Sequence, residues 1–273
     1  MKAYPSIPAV DSAPDELLDG GHLWLQELLD GTLLRFRIDD SGGVRFGDRT
    51  TVFPPGDVPV EYRHATRFVQ RALDYDAVLG ADLESVVFYC VAMHQQTIDY
   101  DWDRTPAVLG IDVWEGDRFL PPDAVEQAFE RIGLIPVNTF AKEVRAVDFD
   151  PDSYTVPESN WYDGQAYGVV LRSKTGEQAT MHADGMDSEL GPEDPDTAEL
   201  VDEFVTPRRL EQTAGELSAQ GQSPDADTLF EHLFEQLLRR FHRTLVGDDV
   251  DLTQVRSRLS ARINEFLEPT TGR

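Results

Sequence analysis

The sequence predicts an α+β protein in which a strand-rich region is followed by an all-helical module. Through the first two thirds of the chain, short runs of β-branched and aromatic residues alternate with turn-forming residues, as at 85–93 and 107–114. From about residue 194 the pattern changes to leucine and phenylalanine at three- and four-residue spacing. The change of pattern predicts two domains, at 1–192 and 193–273.

The first two strands flank an Asp-Gly pair. The apolar run 22–29 stops at Asp30-Gly31, and a second run at 33–38 starts directly after it, which predicts a β-hairpin. Further runs predict one short strand, two buried strands and two strands near the middle of the chain. These segments are 42–50, 85–93, 107–114, 165–173 and 177–183.

Four segments carry helical signals. The segment 121–133 begins with prolines and an aspartate, ends with a glycine and places apolar residues on one face between them, which predicts a helix. The segment 60–75 has partly helical spacing. In the C-terminal module, apolar residues at helical spacing predict two longer helices, at 227–246 and 251–268.

The composition is strongly acidic. The formal net charge is -27, from 51 acidic and 24 basic residues. Three of the basic residues are lysines (Lys2, Lys142 and Lys174), which leaves 21 arginines. Dispersed acidic residues together with scarce lysine indicate adaptation to high salt, although a solvated acidic surface of a general kind is the alternative. At about 1 M salt the Debye length is only about 3 Å, so the net charge does not exclude contact with nucleic acid.

Several classes of protein are disfavoured by absent signals. No window approaches the run of about 20 apolar residues that a membrane span needs, and the first residues lack the apolar core of a signal peptide. The single cysteine, Cys90, excludes an internal disulfide and a cysteine-rich zinc site. We therefore expect a cytoplasmic protein. P-loop, GxGxxG, GxSxG and HExxH motifs are also missing, and the six histidines do not have metal-ligand spacing with one another.

Five segments in a fixed order carry a family resemblance. They are "ELLDG", "FGDRT", "FYCVAMHQQTIDYDW", "LGIDVW" and "YGVVLRSKTGEQATM", and a helical tail follows them. This order resembles the phage-type second class of ATP-dependent RNA ligases, which belongs to the covalent nucleotidyltransferase superfamily. The resemblance spans most of 1–190, and the opening "YPSIP" agrees with it. It implies an α+β nucleotidyltransferase fold with antiparallel sheets, and ATP and Mg²⁺ as cofactors.

The resemblance also implies a chemistry that this sequence lacks. In the family a lysine of a K-x-D-G motif attacks the α-phosphate of ATP, and carboxylate-held metal ions and further lysines offset the phosphate charge. Here Leu28 occupies the lysine position, and Val91 and Tyr167 occupy two glutamate positions. Gln178–Met181 replaces the lysine-containing last motif, and Ile111 replaces the adenine-stacking aromatic residue. Apolar Leu28 and Val91 are expected to pack together at the centre of the sheet.

Other family positions keep their residue type. By resemblance, Glu27 contacts the adenine, Asp30 and Gly31 form the turn, and Arg49 faces the sugar and phosphate. The positions that the resemblance assigns to nucleotide binding are Glu27, Asp30, Gly31, Arg49, Asp112 and Arg172. A purely structural role is the alternative for each of them, and it is favoured for Asp30 and Gly31. No residue is assigned to a metal.

Three functional hypotheses follow from this pattern. In the first, the chain is unable to self-adenylylate and binds a nucleotide, RNA ends or an active ligase as its partner. In the second, it is a working RNA ligase with a relocated nucleophile, for which Lys174, in the turn after the fourth motif, is the candidate. Arginine cannot take that role because its guanidinium does not deprotonate in proteins. In the third, the chain is a structural subunit of a heteromer.

The helical tail offers a second contact surface for RNA. Its arginines include Arg208, Arg209, Arg239, Arg240 and Arg243. Arginine side chains at this density could contact phosphates. The alternative, which we favour, is the solvated face of an amphipathic helix balanced by neighbouring acidic residues.

Overall fold

A computed structural model describes residues 1–39, 41–78, 83, 85–186, 197–246 and 252–268. The chain divides into two compact units, Met1–Glu189 and Leu190–Arg273. Within the described residues no helix is long and apolar enough to cross a membrane.

The first unit contains two antiparallel sheets. One sheet consists of β1 (His22–Leu28), β7 (Thr139–Arg145), β8 (Gly168–Ser173) and β9 (Gln178–His182), in the order β7-β1-β8-β9. The other consists of β2 (Thr32–Ile38), β3 (Val44–Gly47), β4 (Val86–Ala92), β5 (Val108–Glu115) and β6 (Arg118–Phe119), in the order β3-β2-β4-β5-β6. The predicted α+β fold with antiparallel sheets is confirmed.

The predicted hairpin between the first two strands is wrong. Strand β1 pairs with β7 and β8, whereas β2 pairs with β3 and β4, so the two strands belong to different sheets. The Asp-Gly pair is the crossing point between the sheets. A Cβ at Gly31 would lie 2.5 Å from Val91 Cγ1 and 2.7 Å from the Ala92 carbonyl oxygen, so only glycine fits there.

The helices of the first unit are α1 (Glu16–Asp19), α2 (Arg63–Ala72), α3 (Tyr75–Val78) and α4 (Pro122–Arg131). Helix α4 confirms the segment predicted at 121–133, and its Phe129 ring packs directly on β5. A Cβ at Gly110 would lie 2.4 Å from that ring, so the close approach of helix and sheet requires glycine. A stacked pair, Phe36 and Phe88, lies in the same apolar core as Phe129.

Two strands were not predicted, the two-residue β6 and the longer β7. Strand β7 forms the edge of its sheet, and most of its side chains are half-buried or exposed. Its sequence, "TFAKEVR", therefore lacks the apolar run that marks the inner strands. A bulge interrupts its pairing with β1, and Glu143 there adopts a φ of 59°.

The second unit is helical throughout its described residues. Its helices are α5 (Thr197–Phe204), α6 (Pro207–Ala219), α7 (Ala226–Arg240), α8 (His242–Leu245) and α9 (Leu252–Leu267). Side chains cap two of them: Thr206 accepts the Arg209 N–H, and Asp225 accepts the Thr228 N–H. The helix predicted at 227–246 is interrupted at Phe241, which separates α7 from α8.

Candidate functional site

A cavity of about 220 Å³ lies between the two sheets of the first unit. Strands β1, β8 and β9 line it from one sheet, and β2, β4 and β5 line it from the other. Its lining residues are Tyr4, Ile7, Gln26, Glu27, Leu28, Leu29, Gly31, Leu33, Arg49, Val91, Ile111, Val137, Val170, Arg172, Gln178 and Thr180. The fold therefore brings residues that are far apart in the sequence to one place.

The positions at which the sequence departs from the ligase motifs converge on this cavity. Leu28, Val91 and Ile111 line it, as does Gln178 of β9. Tyr167 is not a lining residue, and its ring packs edge-on against the His182 ring at 4.8 Å. The cavity wall is apolar where the resemblance implies a lysine, a glutamate and an aromatic ring.

Leu28 and Val91 do not share a sheet. Leu28 ends β1 opposite Gly168, whereas Val91 lies in β4 opposite Leu33. Both side chains are half-buried and line the cavity. The expectation that they pack together at the centre of one sheet is therefore wrong, because the chain crosses between sheets at Asp30-Gly31.

Glu27 is a buried carboxylate in the cavity wall. It accepts hydrogen bonds from Ser159 Oγ at 2.6 Å, from Asn138 Nδ2 at 3.2 Å and from the Asn160 N–H at 3.4 Å. Desolvation raises the pKa of Glu27, and these three hydrogen bonds oppose that rise. Neither Ser159 nor Asn138 carries a motif signal, so the sequence did not reveal them.

Arg172, which also lines the cavity, forms a buried ion pair with Asp112. Arg172 Nη2 lies 2.9 Å from Asp112 Oδ1, and both side chains are almost fully buried. Arg172 Nη1 donates to the Ile111 carbonyl at 2.6 Å and to Gln26 Oε1 at 3.3 Å. Because both Nη atoms are engaged, the charge of Arg172 is largely neutralised within the protein.

The first residues of the chain complete this network. The Tyr4 hydroxyl lies 3.1 Å from Asp112 Oδ2 and 3.3 Å from Gln178 Oε1. Gln178 Nε2 also donates to Asp112 Oδ2, at 3.1 Å. Burial and the Asp112 charge raise the pKa of Tyr4, so its hydroxyl stays protonated and serves as a donor. In the sequence, the only indication that the first residues of the chain belong to the site was the resemblance of "YPSIP" to the family.

The other residues that the resemblance assigns to nucleotide binding fall into two groups, those that line the cavity and those that do not. Arg49 and Gly31 line the cavity, and the exposed Arg49 side chain donates from Nη1 to the Pro5 carbonyl at 3.2 Å. Asp30 and Asp112 are not lining residues. The Asp30 carboxylate accepts the N–H groups of Thr97 at 2.6 Å and Ile98 at 2.7 Å, which anchors the loop after β4.

None of the three lysines, all of which the structure describes, lines the cavity. Lys174 lies in the turn between β8 and β9, where its Nζ is 2.7 Å from Glu143 Oε1 and its side chain is about half exposed. The hydrogen bond with Glu143 raises the pKa of Lys174. A raised pKa favours the protonated amine, which is not nucleophilic.

The other two lysines are also engaged. Lys142 pairs with Glu126, and its Nζ lies 4.5 Å from the centroid of the Trp24 ring. Lys2 Nζ lies 4.7 Å from the centroid of the Trp114 ring. Both are cation–π arrangements on the protein's own aromatic residues.

The oxygen atoms that the cavity offers as metal ligands do not suit a divalent cation. Mg²⁺ binds carboxylate oxygens in near-octahedral geometry, and Glu27 is the lining carboxylate among the described residues. That carboxylate already accepts three hydrogen bonds, and Gln26 Oε1 and Gln178 Oε1 accept from Arg172 and Tyr4. No group of three or more His, Cys, Asp or Glu side chains suited to a metal occurs within the described residues.

The arginines of the tail lie in the second unit. Arg208 and Arg209 are in α6, Arg239 and Arg240 end α7, and Arg243 is in α8. The Arg209 guanidinium lies 4.3 Å from the centroid of the Phe204 ring.

Comparison with known proteins gives a fold but no sequence family. No family model matches the chain, and no curated protein matches it. The chain has a ligase-type nucleotidyltransferase fold. An RNA ligase from Naegleria gruberi, solved with pyrophosphate, superposes with a TM-score of 0.52 and 10% identity. The match covers 67% of this chain and 56% of that one.

Two further structures give similar values. A lysine-to-alanine variant of the Naegleria ligase, solved with ATP and Mn, also has a TM-score of 0.52, 10% identity and coverage of 67% and 56%. An archaeal ATP-dependent RNA ligase has a TM-score of 0.49 and 16% identity, over 98% of this chain and 64% of that one. The chain thus spans less than two thirds of the length of these ligases.

Proposed function

We propose that the chain is an RNA-ligase-like protein that does not self-adenylylate and whose cavity binds a nucleotide or the nucleotide of an RNA end. The observation that carries the proposal is the apolar wall of Leu28, Val91 and Ile111 in a cavity that no lysine lines. Adenylyl transfer needs a nucleophilic amine and offset phosphate charge at the same place. Leucine supplies neither.

Two features favour a retained binding role over an inert one. Glu27, Arg49 and Arg172 still line the cavity, although keeping Glu27 buried has an energetic cost that a fully structural site would avoid. The cavity also keeps a volume of about 220 Å³ between two well-packed sheets, so the side chains that replaced the ligase motifs do not fill it. A partner such as an active ligase is a further proposal, as is adaptation to high salt.

The contacts of Lys174 disfavour the hypothesis that it is a relocated nucleophile. Its ammonium is paired with Glu143 and lies outside the cavity lining. A lysyl-adenylate at Lys174 would require this pair to break and the amine to lose its proton.

The proposal is tested by incubating the full chain with α-labelled ATP and Mg²⁺ or Mn²⁺ in molar KCl. Label that survives denaturation is counted, and intact mass checks for one AMP adduct. We expect no adduct, while an authentic RNA ligase active in the same salt gives one. A stoichiometric adduct on this chain would overturn the proposal.

A substitution tests whether Leu28 alone accounts for the absence of self-adenylylation. Leu28→Lys places an amine in the cavity wall, and Lys174→Ala is its control outside the cavity. We expect neither variant to form an adduct, because Val91, Tyr167 and Gln178 would still lack the charges that the reaction requires. A labelled Leu28→Lys protein would show that the rest of the site is intact.

A further inference from the structure

Two arginines lie directly opposite each other on strands β2 and β3. Arg37 of β2 and Arg45 of β3 are partners in the antiparallel ladder, so their side chains project from the same face of the sheet. Like charges at directly opposite positions destabilise a sheet. This arginine pair, Arg37 and Arg45, therefore lowers the stability of the free protein and attracts anions.

No carboxylate of the described residues forms an ion pair with the arginine pair. Neither side chain hydrogen-bonds within that part of the chain, and Arg37 Nε is buried without an acceptor. The two carboxylates that flank the pair in the sequence are held by turns. Asp39 Oδ1 accepts main-chain N–H groups of the turn before β3, and Asp48 Oδ1 accepts those of the turn after it.

The other edge of the same sheet has the opposite arrangement. Arg118 of the edge strand β6 lies directly opposite Glu115 of β5, whereas Arg45 of the edge strand β3 lies opposite an arginine. The chain has 51 acidic and 24 basic residues, so a pair of adjacent arginines without an ion pair is a departure from its overall charge. At about 1 M salt the Debye length is about 3 Å, so distant acidic residues do not repel an anion from this face.

The arginine pair shares a strand face with the cavity. Leu33 lines the cavity, and Arg35 and Arg37 follow it at two-residue intervals on the same face of β2. Arg37 is about 14 Å along the strand from Leu33. The buried Arg35 donates from Nη1 to the Met1 and Lys2 carbonyls at 3.1 and 2.8 Å, so its guanidinium is held within the protein. The arginine pair, with one exposed and one half-buried side chain, is open to solvent.

Resting on the proposed function, we infer that a single-stranded RNA whose end enters the cavity is held by its phosphates on the arginine pair. Guanidinium groups bind phosphate oxygens through charge-assisted, bidentate hydrogen bonds. A strand carries one charge at each nucleotide, so its end and a later phosphate occupy the cavity and the pair together. A mononucleotide in the cavity does not reach a side chain about 14 Å away.

The shared face with the cavity favours an RNA strand over an acidic peptide, because a peptide has no nucleotide to place in the cavity. The arginine pair contacts the backbone, so it binds strands without regard to their base sequence. The ligand of the proposed function is thus a strand rather than a free mononucleotide.

The experiment measures fluorescence anisotropy of a labelled twelve-nucleotide, 5′-phosphorylated single-stranded RNA with the full chain, between about 0.2 and 1 M KCl. Each phosphate contact on a single strand adds about 0.7 to the slope of log K against log[KCl]. Arg37→Gln and Arg45→Gln should each lower the slope by about 0.7 and weaken binding at about 0.2 M KCl about fivefold. Arg118→Gln, the matched control on the other edge of the sheet, should change neither quantity.

Thermal melting distinguishes a binding role from a structural one. Removing one charge relieves the repulsion within the arginine pair, so Arg45→Gln should not lower the Tm read from tryptophan fluorescence. Arg45→Glu places a carboxylate opposite Arg37, and it should raise the Tm while weakening RNA binding more than Arg45→Gln does. A fall in Tm in either variant would show that the pair is structural and would overturn the inference.

Competition tests whether the strand also uses the cavity. Saturating AMP should weaken RNA binding, because it takes the place of the strand's end. RNA binding that AMP leaves unchanged would overturn the inference, as would RNA binding that is absent or is equally tight in both glutamine variants. Equal binding of a twelve-residue glutamate peptide would overturn the assignment to phosphate.

The outcomes separate this inference from the proposed function. None of the results that overturn the inference produces a covalent adduct, so the proposal of a chain that does not self-adenylylate would stand. An adduct formed with α-labelled ATP would instead overturn the proposed function, and the salt slopes of the arginine variants would be unaffected by it.

Discussion

Removal of the Asp112 carboxylate is expected to destabilise the first unit strongly. In Asp112→Ala the buried guanidinium of Arg172 loses its ion pair at 2.9 Å, and Tyr4 and Gln178 lose an acceptor. At an effective dielectric constant of about 20 the pair's Coulomb attraction is about 6 kcal/mol. Measured losses on breaking such pairs are about 3–5 kcal/mol, because an uncompensated buried charge remains.

The four tryptophans make the measurement selective. All of them (Trp24, Trp102, Trp114 and Trp161) lie in the first unit, so their fluorescence reports its unfolding. A loss of about 3–5 kcal/mol corresponds to a fall in Tm of about 6–20 °C for a unit of this size. The assay is a thermal melt of the full chain in molar KCl.

Two controls distinguish charge from packing. Asp148→Ala removes an exposed ion pair with Arg145 in the same unit and should change Tm little. The double variant Asp112→Leu with Arg172→Met replaces the pair by apolar side chains and should recover most of the loss. A fall of less than about 2 °C in Asp112→Ala would refute the reasoning, since so small a shift corresponds to a loss of under about 1 kcal/mol in a unit of this size.

Three further predictions concern packing, pH and salt. Gly110→Ala places a methyl group 2.4 Å from the Phe129 ring and should destabilise the unit by about 1–3 kcal/mol, read from urea unfolding; an unchanged midpoint would contradict the packing. Burial raises the pKa of Glu27, so the folded state binds the proton of this carboxyl more tightly than the unfolded state does. The stability that this proton contributes is fully present below the ordinary pKa of 4.5, and it is lost as the pH rises through the raised pKa. The parent should therefore lose stability relative to Glu27→Gln as the pH rises above 4.5, and the reverse trend would be evidence against burial of this carboxylate. Because the net charge is -27, Tm should rise between about 0.1 M and 1 M KCl, and a flat profile would contradict adaptation to salt.

The sequence by itself determined the type of most elements. The β-branched runs that became β4 and β5 are buried in the structure, and the amphipathic segment between the prolines and Gly133 became α4. Periodicity encodes which side chains are buried, so it identifies these elements without reference to their neighbours. The sequence also placed Leu28 where the family resemblance requires a lysine, because a motif position is a local property.

Tertiary structure decided which elements meet. The Asp-Gly pair has the local signature of a hairpin, yet β1 has both edges paired within its own sheet and β2 belongs to the other. The Tyr4–Asp112 hydrogen bond joins residues 108 positions apart, and Glu27 is held by Ser159, 132 positions away. Such contacts depend on the packing of whole sheets, and no local pattern of residues specifies a distant partner.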